Sequence, residues 1–365
     1  MKSIAVNRTQ KEKGSRLAEL DALRGLAVLT VMLYHYTYAY DFHFKLFSDH
    51  KLYLSHGNLA VHLFFIISGF VIFMTLERSK NKFDFIVSRF SRLYPAYWTA
   101  IFLTAFIITI LPVPTLGHYT PKEILYNITM FQGFTKVRLI DQVYWTLKME
   151  LTFYILMYGL YLARLLRKIE IICIGWLTLS LISSLFSIHF KKYIDVLFIL
   201  EYAPLFIAGI NFYRIKTNGA SFLNNVIIGT SFLVECKWLL THPDENYGSL
   251  AILAGIYAVF YLFTYEKLSW LNNKVLLFLG TISYSLYLLH NVIGYAIIYR
   301  LRQFSDLQLF YVIVPLIFSV LLATTLTYAI EKPALKYIRD AYKKWKAKKV
   351  VYETEALVKE PLSNC

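Results

Sequence analysis

Charge is scarce in this chain. Asp, Glu, Lys and Arg make up 17% of its 365 residues, against about a quarter in an ordinary soluble domain, and that shortage excludes a soluble globular fold. Cysteine is nearly absent as well. Cys173, Cys236 and Cys365 cannot build a disulfide framework, so a small secreted scaffold is excluded. With 15 Gly and 9 Pro against 28 Phe and 29 Tyr, the chain is neither collagen-like nor disordered. It also lacks a phosphate-cradling glycine loop, a Cys/His spacing for metal and a Gly-x-Ser-x-Gly elbow. No metal is expected.

What is present in excess is apolar surface, 57% of the residues. A helix crosses a bilayer with about 20 mostly apolar residues, and runs of that kind fall near residues 22–41, 60–76, 95–111, 143–162, 171–188, 196–213, 225–240, 248–264, 276–298 and 309–330. The expected fold is all-α, a polytopic membrane bundle of about ten transmembrane helices. Ten spans return both termini to one side. The segments on that side carry 26 Lys and Arg against 9 on the other, so both termini are expected in the cytoplasm. The net charge of +15 is thus chiefly a topology signal, and a basic surface without a reading motif does not indicate nucleic acid.

Three stretches organise the chain: a cytoplasmic tail over 1–19, a membrane domain over 20–336 and a basic cytoplasmic tail over 337–365. Residues 1–20 are charged throughout, so the first span is expected to serve as an uncleaved insertion signal. In the second tail Ile338, Tyr342 and Trp345 recur at i, i+4, i+7 among lysines. That pattern predicts a basic amphipathic helix on an anionic leaflet; a solvated positive tail is the alternative.

Chemistry is then sought among ionisable groups inside the membrane, where they are costly and default to function. Arg24 and His35 are eleven residues apart, so both project from one helix face about 16 Å apart along the axis. The guanidinium at the mouth suits a phosphate or carboxylate; the imidazole suits a general base. Glu150, in the span that starts near Trp145, matches the depth of His35 within one turn, and a carboxylate beside an imidazole supports the imidazolium. Ser283, Tyr287 and His290 share one face at i, i+4, i+7, with His290 at the same level. Arg89 and Arg92 precede Pro95, which is placed to open the next span, and a forked pair of guanidiniums suits phosphates. Each group also has a structural reading: a snorkelling Arg24, histidines bonded to neighbouring helices, a pair of Glu150 with Lys148 or an Arg, arginines that merely set topology. Ser68-Gly69 reads as close helix packing.

Six pieces in order resemble the acyltransferase 3 family of integral-membrane acyltransferases. They are Asp21-x-x-Arg24-Gly25 with His35, Phe64-Phe65-x-x-Ser68-Gly69-Phe70, Arg89-x-x-Arg92-Leu93-Tyr94-Pro95, Trp145-x-Leu147-x-x-Glu150-x-x-Phe153-Tyr154, Ser283-Tyr284-Ser285-Leu286-Tyr287-x-x-His290, and Glu331-Lys332-Pro333. The resemblance spans about residues 18–336. It implies ten membrane helices, an acyl-CoA donor reached from the cytoplasm, and an acceptor hydroxyl on a carbohydrate. It further implies that Arg24 and His35 are essential and that Arg89 and Arg92 lie on the donor side. His62 stands where many members carry an acid, and Leu289 where many carry Trp.

The function expected is therefore membrane-bound O-acylation, most simply O-acetylation, in the cytoplasmic membrane of a bacterium. Acyl-CoA (acetyl-CoA) is the donor substrate, and no cofactor is expected to be permanently bound. His35, Glu150 and His290 are the expected catalytic residues, with Arg24, Arg89 and Arg92 on the CoA phosphates. Ser283, Tyr287 and Trp145 face the acceptor, a carbohydrate or lipid-linked glycan, and membrane lipids surround the chain. The rivals are a proton-coupled transporter using His35, Glu150, Glu235 and His290 as a relay, and a non-enzymatic glycan-assembly scaffold. Repeated halves, which the first rival predicts, are not visible in the sequence.

Overall fold

The computed structural model describes residues 17–44, 53–114, 117–135, 137–186, 192–242, 246–304 and 307–359. Most of the N-terminal tail, and Cys365 with the last residues, lie outside them.

Among the described residues all regular structure is helical. The main elements are α1 (Ala18–Tyr34), continued by a π turn His35–Ala39 and α2 (Tyr40–Phe44), then α3 (Ala60–Arg78), α4 (Lys82–Ile110) and α5 (Pro121–Ile128). They are followed by α6 (Trp145–Leu162), α7 (Ile169–Phe186), α8 (Lys192–Phe198), α9 (Ala203–Asn218) and α10 (Phe222–Leu239). The chain closes with α11 (Tyr247–Thr264), α12 (Lys274–Leu301), α13 (Gln308–Leu326), a second π turn Thr327–Glu331, and α14 (Lys332–Lys359).

Among the described residues the expected spans lie mostly on helix, the one over 196–213 being broken. Six stretches are long and apolar enough to cross a membrane among the described residues: Gly57–Arg78, Lys82–Ile110, Ile194–Asn218, Tyr247–Thr264, Lys274–Leu301 and Gln308–Lys349.

Three elements depart from the sequence reading, each for a local reason. Pro95 does not open a span. Asn81 and Asp84 form a capping box that starts α4 at Lys82, so the proline lies well inside the helix and Arg89 and Arg92 are helical rather than in a connecting loop. Proline has no N–H to give back to the preceding turn, which bends a helix. The span expected over 196–213 is interrupted, because Ile199 adopts a left-handed φ of 50° and Pro204 restarts the helix at its N-terminus. The carbonyls freed at the break are taken up by α7: Trp176 Nε1 donates to Phe198 O and Ser180 Oγ to Leu200 O, both at 2.6 Å.

The third departure is the C-terminal helix. Its amphipathic pattern does form a helix, but Tyr342 donates to Asp84 on α4 at 2.9 Å, while Trp345 remains exposed. The face expected on a lipid leaflet is partly spent on α4. No break separates 336 from 337.

The chain divides into two compact units. One holds residues 17–44, 53–71 and 170–284; the other holds 72–169 and 285–359. In the first, helices approach closely at glycines. A Cβ on Gly280 would stand 1.9 Å from the Asp21 carbonyl oxygen, and one on Gly69 2.2 Å from that of Phe206, so α1 meets α12 and α3 meets α9 nearly backbone to backbone. This is the packing anticipated for Ser68-Gly69. The second unit is organised around α4, α6, the C-terminal part of α12, and α13–α14.

Candidate functional site

In the first unit, α1 carries Arg24 and His35. Its α-helical path from Ala18 to Tyr34 preserves the eleven-residue spacing, so the two groups are separated by about 16 Å of rise. Arg24 Nη1 lies 3.4 Å from the Asp21 carboxylate, and Gly25 fits where a Cβ would meet the Leu276 carbonyl oxygen at 2.5 Å. The motif's Asp, Arg and Gly thus have distinct local tasks. His35 is half-buried and opens the π turn, with its ring against the edge of Tyr34 at a centroid distance of 5.1 Å. An added residue in a helical turn re-aims the side chains around it, and such turns concentrate at functional positions. Nothing in the residue pattern marked it.

His62 and Glu235 explain one another. His62 Nε2 stands 3.1 Å from Glu235 Oε1, both side chains nearly fully buried. A buried acid needs a partner, and the histidine supplies it here.

The second unit gathers the other pieces. Arg92 Nη1 donates to Glu331 Oε1 at 2.5 Å. The other carboxylate oxygen of Glu331 accepts from Ser285 Oγ at 2.8 Å and from Thr327 Oγ1 at 3.4 Å, and the carboxylate is 1% exposed. The π turn Thr327–Glu331 brings both of its end residues onto Ser285. Three of the six ordered motifs therefore meet on one carboxylate. Ser285 makes the inter-helix contact, while Ser283, expected to face the acceptor, donates to the Gly280 carbonyl of its own helix at 2.9 Å.

Arg89 points elsewhere. Its Nη2 donates to Ser88 Oγ at 3.2 Å, and its guanidinium lies over the ring of Tyr154 at 5.9 Å. The Tyr154 hydroxyl donates in turn to the Glu150 carboxylate. Arg89, expected on the donor side, and Glu150, expected at the depth of His35, therefore share one tyrosine. The cause is the early start of α4, which puts Arg89 about two turns inside the helix. Lys148, a structural candidate for pairing with Glu150, has its ammonium over the Phe134 ring at 5.2 Å.

His290 is fully buried, with Nδ1 2.8 Å from the Tyr287 carbonyl oxygen. A carbonyl only accepts, so Nδ1 carries the proton and Nε2 has the basic lone pair of the neutral ring. The Tyr287 hydroxyl donates to Val143 O at 3.1 Å and meets Thr146 Oγ1 at 2.9 Å, so it ties α12 to the start of α6. Trp145 begins α6 and is half-buried.

Next to His290, Asn291 Nδ2 and the Val292 N–H donate to Asp141 at 2.7 and 3.0 Å. Burial pushes the Asp141 carboxyl up to about 6, against those hydrogen bonds and the Val143 N–H, which favour the ion. Sequence reasoning passed over Asp141 because a lone acid in a connecting segment looks solvated. Glu331 and Ser285 had a signal, since both stand in the ordered motifs.

A family model described as an acyltransferase domain, acyltransferase 3, matches residues 17–330. The chain belongs to the acyltransferase 3 family. Two curated relatives are similar to it. "Putative acetyltransferase ORF330" of Acidianus two-tailed virus is 24% identical over 295 residues, 77% of this chain and 83% of that protein. "Acyltransferase MdmB" of Streptomyces mycarofaciens is 26% identical over 181 residues, 48% of this chain and 46% of that protein. No solved structure matches. As an acyltransferase 3 member the protein is a multi-pass membrane acyltransferase, which removes the transporter and scaffold readings.

Proposed function

We propose that the protein moves an acyl group, most simply acetyl, from acyl-CoA to a hydroxyl of a cell-surface or exported carbohydrate, in a bacterial cytoplasmic membrane crossed ten times with both termini inside. The name of the viral relative favours acetyl. The observation that carries the reading is the run Arg89, Tyr154, Glu150, in which a cation suited to donor phosphates and a carboxylate suited to catalysis share one side chain.

His35 acts as general base on the acceptor hydroxyl. The oxygen attacks the thioester carbonyl, the new ester C–O bond forms as the C–S bond breaks, and the proton held on His35 passes to the departing CoA thiolate. Glu150 supports the transient imidazolium, a pairing that rests on the matching depths of the two residues in the sequence. His290, Ser283 and Trp145 line the acceptor side, Tyr287 acting there through Thr146 and Val143. Arg24 and Arg89 hold phosphates of CoA. Arg92 serves them through Glu331, whose charge it already neutralises.

The test is CoA release by the purified protein in nanodiscs, given acetyl-CoA and a lipid-linked or polymeric glycan. Acceptor-dependent thiol release is expected. Release no faster than acceptor-free hydrolysis, across a panel of glycans, overturns the carbohydrate acceptor.

A further inference from the structure

The C-terminal helix carries a group that neither the motifs nor the family match includes. α14 runs antiparallel along α4 and is clasped to it at two levels. At one, Glu331 takes Arg92. At the other, Asp84 accepts from Tyr342 at 2.9 Å and from Lys346 Nζ at 3.0 Å, while its second oxygen takes the Asn81 N–H at 3.1 Å within the capping box that starts α4. Between these clasps Arg339 lies across α4. Its Nε donates to Ser91 Oγ at 3.3 Å and its Nη2 to Ser88 Oγ at 3.4 Å.

Ser88 Oγ is also the acceptor for Arg89. Two guanidiniums thus converge on one neutral hydroxyl, and Arg89 and Arg92 both repel Arg339 electrostatically. Arg92 has its counter-charge in Glu331, yet among the described residues no carboxylate forms an ion pair with Arg89 or Arg339. The Nε of Arg89 is buried without a hydrogen-bond partner. Like charges held close in a partly dry setting repel one another unless an anion joins them. Forked guanidiniums match the oxygens of a phosphate. Ser88 and Ser91 set neutral hydroxyls beside them.

We propose that Arg339 and Arg89 form a phosphate site for the nucleotide end of the acyl donor, so that the C-terminal helix belongs to the donor-binding machinery. The proposal rests on the donor being acyl-CoA, as proposed above. Arg89 is the link: on one side it shares Ser88 with Arg339, and on the other it lies on Tyr154, beside Glu150. A phosphate bound here leaves the pantetheine arm to run toward the carboxylate. The same chemistry would also accept an anionic lipid headgroup, and the test separates the two.

The full-length protein is placed in phosphatidylcholine nanodiscs, and CoA binding is titrated calorimetrically for wild type, Arg339→Ala, Arg339→Lys and Lys343→Ala. Loss of a charge-assisted contact is expected to weaken CoA binding about tenfold or more in Arg339→Ala. The lysine variant should recover part of the loss, and Lys343→Ala should bind as wild type. Repeating the titration with 3′-dephospho-CoA shows which phosphate is held: the penalty of Arg339→Ala disappears if it is the 3′ group and persists if it is the pyrophosphate, and either supports the site. Should Arg339→Ala melt early, the Arg339→Lys comparison carries the test, since a mere packing role gives that variant wild-type affinity and overturns the proposal. Unchanged CoA affinity in Arg339→Ala also overturns it. So does phosphatidylglycerol binding that depends on Arg339 while CoA binding does not. A wild-type protein that binds no CoA refutes the donor assignment itself.

Discussion

Arg92 and Glu331, 239 residues apart in the chain, form an ion pair at 2.5 Å that joins α4 to the end of the π turn preceding α14. Ser285 and Thr327 complete the carboxylate's shell. A carboxylate this buried depends on its cation. The pair therefore ties Arg92 into the contact between α4 and the start of α14.

Glu331→Ala or Arg92→Ala should accordingly destabilise the protein by roughly 3 kcal/mol, the low end for breaking a buried pair, since Arg92 is 32% exposed. Arg89→Ala, by contrast, should leave the melting temperature nearly unchanged and raise KM for acyl-CoA. Thermal unfolding in detergent alongside donor titrations separates the two arginines. Equal effects of both on KM, with no change in melting, would show that Arg92 also meets the donor.

Tyr154→Phe removes the hydroxyl that donates to Glu150 while keeping the ring beneath Arg89. Hydrogen bonds to charged groups contribute about 1.5–3 kcal/mol, so kcat should fall about tenfold or more, with KM for the donor little altered. A normal kcat would detach Glu150 from the chemistry.

His35→Ala and His35→Gln should both insert normally and transfer nothing, because an amide cannot accept the proton. Residual turnover in the Gln variant points to a structural histidine. Cysteines placed at Tyr34 and Leu151 should cross-link with a short reagent if His35 works with Glu150. Failure to cross-link at any reagent length sends the base to another carboxylate.

The raised pKa of Asp141 has a defined sign. A carboxyl held at about 6 in the folded protein and about 3.9 when unfolded favours folding in its protonated form. Its stabilisation is complete below about pH 4 and is lost as pH rises to 6, at up to about 1.4 kcal/mol per pH unit. The melting difference between wild type and Asp141→Asn should therefore shift against wild type between pH 4.5 and 6.5. A flat difference would mean that the hydrogen bonds from Asn291 and Val292 already hold the ion.

The all-helical class and the approximate places of the long apolar helices were legible in the sequence because runs of about 20 apolar residues leave few alternatives in a membrane. So was the α-helical spacing of Arg24 and His35, which depends only on the rise per residue. Close packing at Ser68-Gly69 was readable too, since a side chain that is missing can only admit a neighbour.

Tertiary structure decided the partnerships. Sequence spacing places a side chain on its own helix, whereas a hydrogen bond depends on which helix lies opposite and at what height. Ser285 reaches Glu331 because a π turn rotates that carboxylate into position. Arg89 meets Tyr154 because a capping box begins α4 several residues earlier than its apolar run. Arg339 reaches Ser88 and Ser91 because Asp84 and Glu331 clasp its helix on either side. None of these contacts can be read from one strand of sequence, since each is formed by residues whose separation along the chain carries no information about their distance in space.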